Sequence, residues 1–242
     1  MIKFFRKIRQ NLLSEGKTGR YFKYAFGEIV LVVIGILIAL QINNWNENRI
    51  ASIKEKLLLK ELHEEFKENK LQLEVVVSWH EKSLNATNGI INLFPINLET
   101  INLDSLKLYY IDCAWRYTFN PSQGIINSLV STGTFNIISN DSLRKLIISW
   151  NDVLEDYQEE EIVAYNNLNS YVVPFLNDNF DWDGNFNDPR NNLDMLTTLK
   201  FESIIKQRRS DLNDVLNSSG ELKTIRNTID QIIQLSNVNP YD

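Results

Sequence analysis

The sequence predicts an all-α protein, with a single transmembrane helix followed by an elongated antiparallel helical bundle. An apolar run from Ala25 to Ile42 predicts the span, and apolar residues three or four positions apart from Trp45 to Leu93 predict a long amphipathic helix. Few residues break helices, since the 242 positions hold only nine Gly and five Pro. The predicted parts are a cytoplasmic basic amphipathic segment (1–23), the transmembrane helix (24–43) and a helical periplasmic domain (44–242).

The predicted span is long enough to cross the hydrocarbon of a bilayer. Its 18 residues are apolar apart from Glu28 and Gln41, and a helix of that length covers roughly 27 Å. The first 24 residues hold one acid, Glu15, and seven basic side chains: Lys3, Arg6, Lys7, Arg9, Lys17, Arg20 and Lys23. The positive-inside rule therefore places the N-terminus in the cytoplasm. We expect an uncleaved inner-membrane anchor, because no small-x-small cleavage site follows Leu40.

The first 14 residues predict a short helix in the plane of the membrane. Phe5, Ile8 and Leu12 recur at helical spacing among basic residues, a pattern that suits binding to anionic lipid. The chain beyond residue 24 has 18 basic and 30 acidic residues. That balance argues against a nucleic-acid partner, because phosphate contacts need a basic footprint.

One face of the predicted span suits contact with a second helix. Tyr21, Glu28, Gly35 and Ala39 lie on this face, and Gly35 and Ala39 form a small-x-x-x-small pair that permits close approach of backbones. Glu28 either hydrogen-bonds across a self-association interface or lies at the membrane boundary, reaching toward nearby basic or tyrosine side chains. The sequence leaves both interpretations open.

Helix starts and stops order the outer domain. The first long helix ends before Pro95, and residues 134–139 are either a small strand or an extended linker. A second helix is predicted to be capped by Asp104 and Ser105 and to run to about Phe119, and a short third helix to end at Gly133. The next helix is predicted to be capped by Asn140 and Asp141 and to run to about Asn177, with a kink or stop at Pro174. A final helical stretch is predicted from about Leu193 to Leu235, with an interruption at Ser218–Gly220.

The sequence assembles no recognisable catalytic group, and we predict neither catalytic nor cofactor-binding residues. His63 and His80 lie 17 positions apart on one helix, about 25 Å and too far to share a metal. We expect both histidines at a surface or an interface. Cys113, the single cysteine, is expected as a small buried side chain, and Glu159–Glu161 as a solvated helix face.

One Asn- and Asp-rich loop raises the question of calcium binding. Gly184 would occupy the turn position of a calcium loop, whereas Arg190 lies where a bidentate Glu belongs. The candidate metal ligands are Asn179, Asp181, Asp183 and Asn187. An ordinary interhelical loop of turn-forming residues explains the same pattern. Calcium is therefore the one cofactor that the sequence suggests, and an ordinary loop without a metal is the alternative.

Two passages resemble a known family. They are "MIKFFRKIRQNLLSEGKTGRYFKYAFGEIVLVVIGILIALQINNWNENR" (1–49) and "INSLVSTGTFNIISNDSLRKLI" (126–147). The first resembles the N-terminus, and the second the further signature, of a large domain-of-unknown-function family of Bacteroidetes membrane proteins. The resemblance implies inner-membrane anchoring and a helical periplasmic domain. It implies no catalytic residue, substrate or cofactor.

We therefore expect a non-enzymatic, membrane-anchored periplasmic interaction or scaffold module that self-associates. The alternative is a periplasmic ligand-sensing helical bundle, which would act through a partner protein because only about 24 residues precede the span. The expected partners are the lipid bilayer and either further copies of the chain or other membrane and periplasmic proteins, with no nucleic acid.

Overall fold

The computed structural model describes residues 18–238, and among these residues it contains helices and loops but no strand. The predicted all-α class is confirmed. The chain divides into two compact units that part between Lys56 and Leu57. The in-plane helix predicted for the first 14 residues, and the side chain of Tyr21, lie outside the described part of the chain.

The first helix, α1, runs from Thr18 to Ile91. In the part of α1 that belongs to the first unit of the chain, the large apolar side chains from Ile29 to Ile42 are 38% to 64% exposed. Side chains this apolar normally leave water when a chain folds, because each buried one stabilises by roughly 1.5–3 kcal/mol. By length and composition, this is the one helix among residues 18–238 that could cross a membrane.

The second unit contains the C-terminal part of α1 and all later helices. In chain order these are α2 (Leu103–Cys113), α3 (Gly124–Thr132), α4 (Asp141–Asn167), α5 (Val173–Asn179), α6 (Leu199–Asn213) and α7 (Glu221–Ser236), with short 3₁₀ segments at Phe135–Ile137 and Leu193–Thr197. The helix α4 packs against α6 and α7. Residues 134–139, for which a strand or an extended linker was predicted, contain the first of these 3₁₀ segments.

Helix caps explain several of the observed boundaries. Asn140 Oδ1 accepts the Leu143 N–H at 3.0 Å, and Gly133 ends α3 in the left-handed conformation with φ of 64°, as the sequence predicted. The prediction for α2 was wrong at both ends. Its cap is Asn102, whose side chain accepts two N–H groups, and the helix ends at Cys113 rather than near Phe119.

Two π-helical segments interrupt the C-terminal half. The first, Leu168–Val172, joins α4 to α5 just before Pro174, where the sequence predicted a kink or stop. There the Val173 N–H donates to the Leu168 carbonyl five residues earlier, which fits a proline that has no N–H to continue the α-helical pattern. The second, Asp214–Ser218, follows α6 and ends at Ser218, the first residue of the predicted interruption.

Two hydrophobic clusters form the core of the second unit. One joins α1, α3, α4 and α7 and contains the fully buried Phe66 and Trp150, whose rings meet edge to face at 4.8 Å. The other joins the end of α1 to α2, α5 and α6 around Leu106 and Phe201. Residues 114–119, the segment that follows α2, are not helical.

Candidate functional site

The 114–119 segment is held by buried charged side chains instead of by a helix or a sheet. Backbone groups away from water need hydrogen-bond partners. Arg208 of α6 is 3% exposed; its Nε donates to the Cys113 carbonyl at 3.2 Å, and its Nη2 donates to the Trp115 carbonyl at 2.8 Å. Burial lowers the pKa of Arg208 to about 10, so the side chain stays cationic at neutral pH.

Glu161 of α4 fixes the other end of the segment. This carboxylate is 1% exposed; Oε2 accepts the Phe119 N–H at 2.7 Å, and Oε1 lies 3.0 Å from Nε2 of the buried His80. Gln158, one turn earlier on α4, donates to the Phe119 carbonyl at 2.7 Å. The backbone N–H and carbonyl of Phe119 therefore both bind side chains of one helix.

These contacts correct two predictions. Glu161 does not belong to a solvated face, because it lies three and four positions from residues of α4 that point inward, such as Tyr157 and Ala164. His80 is 5% exposed rather than a surface residue, since it continues the apolar stripe of α1 and finds its partner on α4. His63 is only partly buried, and its Nδ1 lies 2.9 Å from the Ile233 carbonyl oxygen.

The 114–119 segment carries two of the three rings of an aromatic cluster. Tyr117 stacks on Trp79 with ring centroids 5.1 Å apart and on Trp115 at 5.7 Å, and the two indoles lie 4.8 Å apart. The Trp115 indole N–H donates to Asp112 at 2.8 Å, which fixes the orientation of that ring. The Lys82 ammonium also pairs with Asp112 and lies 5.2 Å from the centroid of the Trp79 ring.

Next to this cluster is a cavity of about 400 Å³, which we call the aromatic pocket. Its volume lies within the range of roughly 300–1,000 Å³ typical of ligand sites. Tyr117 and Trp182, two of its lining rings, are 37% and 48% exposed. The lining residues are Tyr110, Ile111, Ala114, Trp115, Arg116, Tyr117, Leu176, Trp182 and Asp183. The pocket thus combines exposed aromatic rings with one cation and one anion.

Buried hydroxyl and thiol groups near the pocket are not chemically activated. The Tyr110 hydroxyl is buried without a hydrogen-bond partner among the described residues, and burial raises the pKa of Tyr110. Cys113 is fully buried, as predicted, and its Sγ lies 3.1 Å from the Tyr110 carbonyl. Burial raises the pKa of Cys113 to about 12, so a reactive thiolate does not form at neutral pH.

The loop examined for calcium binding uses several of its polar groups in its own hydrogen bonds. The Asn179 amide donates to the Phe175 carbonyl, and Asp181 Oδ2 accepts the Asn185 N–H at 3.2 Å. Asp183 and Asn187 are exposed. Gly184 occupies the expected turn with φ of 69°. In residues 18–238, no group of three or more His, Cys, Asp or Glu side chains is arranged to hold a metal ion. Calcium binding through the asparagine-containing ligand set stays a prediction.

The predicted interface residues with described side chains lie along the N-terminal part of α1. Gly35 and Ala39 are exposed, and a Cβ added at Gly35 would meet no atom within 4 Å. Glu28 is partly buried and takes part in an interaction within the protein. The stripe is therefore accessible at Gly35 and Ala39, while its role in self-association stays a prediction.

A family model described as a family of unknown function, DUF6090, matches residues 28–169. This match covers more than half of the chain. The protein belongs to the DUF6090 family. The resemblance seen in the sequence is thereby confirmed at the level of a family of unknown function. Neither a curated protein nor a solved structure matches the chain.

The DUF6090 match includes one side of the aromatic pocket. Trp115, Tyr117, His80 and Glu161 lie within the matched residues, whereas Arg208 and Trp182 lie beyond them. Of the residues that line the pocket, the sequence had assigned only Asp183 to a site, as a candidate calcium ligand. The signal that was present is the aromatic spacing of "CAWRYTF", but a pattern of this kind does not show which rings stay exposed.

Proposed function

We propose that this DUF6090 protein is a non-enzymatic, membrane-anchored binding and scaffold module. The observation that carries the proposal is the exposed apolar run of α1 between Ala25 and Ile42, whose 18 residues are long enough to cross a bilayer. Seven basic residues precede it, which supports a cytoplasmic N-terminus and a periplasmic domain in a two-membrane cell of the Bacteroidetes type. In this proposal the domain beyond residue 44 is an elongated antiparallel bundle.

Self-association through the span is part of the same proposal. Small residues let two helix backbones approach closely, and the position of Gly35 has open space around it. Crosslinking of the full chain in native membranes, with a reagent that does not react with cysteine, should give a dimer or a higher oligomer. Gly35→Leu should reduce the crosslinked fraction, and Leu37→Ile, which changes shape but not polarity outside the stripe, is the matched control. A monomer in every sample would refute association through the span.

A second candidate function is ligand sensing through a partner protein, and the aromatic pocket favours it. A pocket with exposed rings and charged groups suits reversible binding of a small molecule. In this candidate function, a partner protein carries the signal across the membrane. Purification of the intact chain in detergent should then recover a protein with a cytoplasmic domain, and the amount recovered should change in Trp182→Ala. Recovery that is equal in both chains would count against sensing.

A further inference from the structure

We propose that the aromatic pocket binds an uncharged carbohydrate. This inference rests on the proposed function only in that the outer domain is taken as a binding module. The pocket presents the rings of Trp115, Tyr117 and Trp182 beside Arg116 and Asp183. A pyranose ring has the complementary surface, because its C–H faces are apolar and its hydroxyl groups project from the edge.

The two charged residues that line the pocket have opposite signs, so together they select for neither a cation nor an anion. Arg116 lines the cavity, and Lys82 lies 5.2 Å and 6.0 Å from the ring centroids of Trp79 and Trp115. These cations oppose the entry of an organic cation that would otherwise bind the ring faces. Asp183 also lines the cavity and opposes an anion, within a chain whose net charge is −6. A neutral ligand meets neither repulsion.

The polar groups also disfavour a purely apolar ligand. An alkyl chain in the pocket would shield Arg116 and Asp183 from water without offering hydrogen bonds, which is unfavourable for both charged groups. The Arg116 Nη1 donates to Asn169 Oδ1 at 2.8 Å, so the guanidinium is positioned while its other N–H groups can donate to ligand hydroxyls. Sugar hydroxyls can both donate to Asp183 and accept from Arg116.

The pocket is organised before any ligand arrives. Arg208 and Glu161 bind the backbone of the 114–119 segment, and Asp112 holds the Trp115 indole N–H. On the other side, the Gly184 N–H donates to the Asp181 carbonyl, which stabilises the turn that carries Trp182 and Asp183. A preformed site loses less conformational entropy when a ligand binds, so more of the contact energy contributes to the affinity for the carbohydrate.

The test is titration of the full chain in lauryldimethylamine oxide, a detergent without a sugar headgroup that could compete. The probes are maltotriose, cellotriose and triacetylchitotriose, with tetramethylammonium and indole as probes of the cationic and flat aromatic classes. We expect at least one trisaccharide to give a saturable change in tryptophan fluorescence and a matching heat in calorimetry. Trp182→Ala and Tyr117→Ala should each weaken that binding about tenfold or more.

Trp45→Phe is the control, because Trp45 is an exposed tryptophan that does not line the pocket. Thermal unfolding of each variant, followed by circular dichroism, distinguishes a lost ligand contact from a lost fold. The proposal is overturned if no trisaccharide binds at up to about 10 mM, a concentration that would detect a Kd near 1 mM. It is equally overturned if Trp182→Ala binds as well as the parent chain, or if only tetramethylammonium or indole binds. Because crosslinking tests the span separately, a negative titration leaves the anchored-module proposal standing.

Discussion

Replacing Glu161 with alanine should destabilise the second unit of the chain by about 4 kcal/mol. The substitution removes the acceptor for the Phe119 N–H at 2.7 Å and the group 3.0 Å from His80 Nε2. Both partner residues, Phe119 and His80, are buried. A buried polar group left without a partner costs about 1–3 kcal/mol, so two of them cost roughly 2–6 kcal/mol. A loss of this size is large against the 5–15 kcal/mol that stabilises a typical domain.

Glu161→Gln separates the loss of an acceptor from the loss of a charge. Its carbonyl can still accept the Phe119 N–H, and its amide can donate to His80 Nε2 in the tautomer that carries its proton on Nδ1. We therefore expect a smaller destabilisation of about 1 kcal/mol. Glu159→Ala, two residues away and exposed, should change the free energy of unfolding by less than about 0.5 kcal/mol.

Urea unfolding of the full chain in detergent, followed by far-ultraviolet circular dichroism, measures all three variants. A double-mutant cycle with His80→Leu should give a coupling energy of about 0.5–3 kcal/mol, since the two side chains are in contact. The reasoning fails if Glu161→Ala is no less stable than Glu159→Ala. It also fails if Glu161→Gln and Glu161→Ala are equally unstable, because hydrogen-bond acceptance would then not be what Glu161 contributes.

Three further predictions concern single residues. Cys113, fully buried with a pKa of about 12, should resist maleimide at pH 7.5 in the native chain and react fully in urea, and rapid native labelling would contradict its burial. Burial raises the pKa of Asp211 above its ordinary value of 3.8, so the protonated side chain stabilises the fold at low pH and this stabilisation is lost as the pH rises through the folded pKa. Asp211→Asn should therefore be more stable than the parent at pH 7. Urea unfolding should show that this gain shrinks as the pH falls toward 3.5. Gly133 has φ of 64°, so Gly133→Ala should cost about 1 kcal/mol in the same assay and Gly133→Asn less, and equal stability of Gly133→Ala and the parent would refute the assigned strain.

Several local features of the fold were predictable because their causes are local. The caps at Asn140 and Gly133, and the change of helix type before Pro174, depend on residues within one or two turns. The apolar run of α1 is likewise a property of adjacent residues. Such signals need no knowledge of which segments meet in space.

The candidate site was not predictable because its partners are distant in the chain. Glu161 lies 81 positions from His80 and 42 from Phe119, and Arg208 lies 93 positions from Trp115. Periodicity can place Glu161 on a helix, but only the folded structure shows that its carboxylate accepts a backbone N–H of the non-helical 114–119 segment. The early end of α2 has the same cause, since the peptide groups of residues 113–119 bind side chains that no local pattern reveals.

The backbone path of the 114–119 segment does not depend on which side chains the segment carries. Arg208, Glu161 and Gln158 all bind main-chain atoms there, and main-chain atoms are the same whatever residue is present. Exchanging Arg116 or Tyr117 would therefore alter the lining of the aromatic pocket while leaving the course of the polypeptide unchanged. Point substitutions at these two positions would thus give pockets of different chemistry on one and the same backbone.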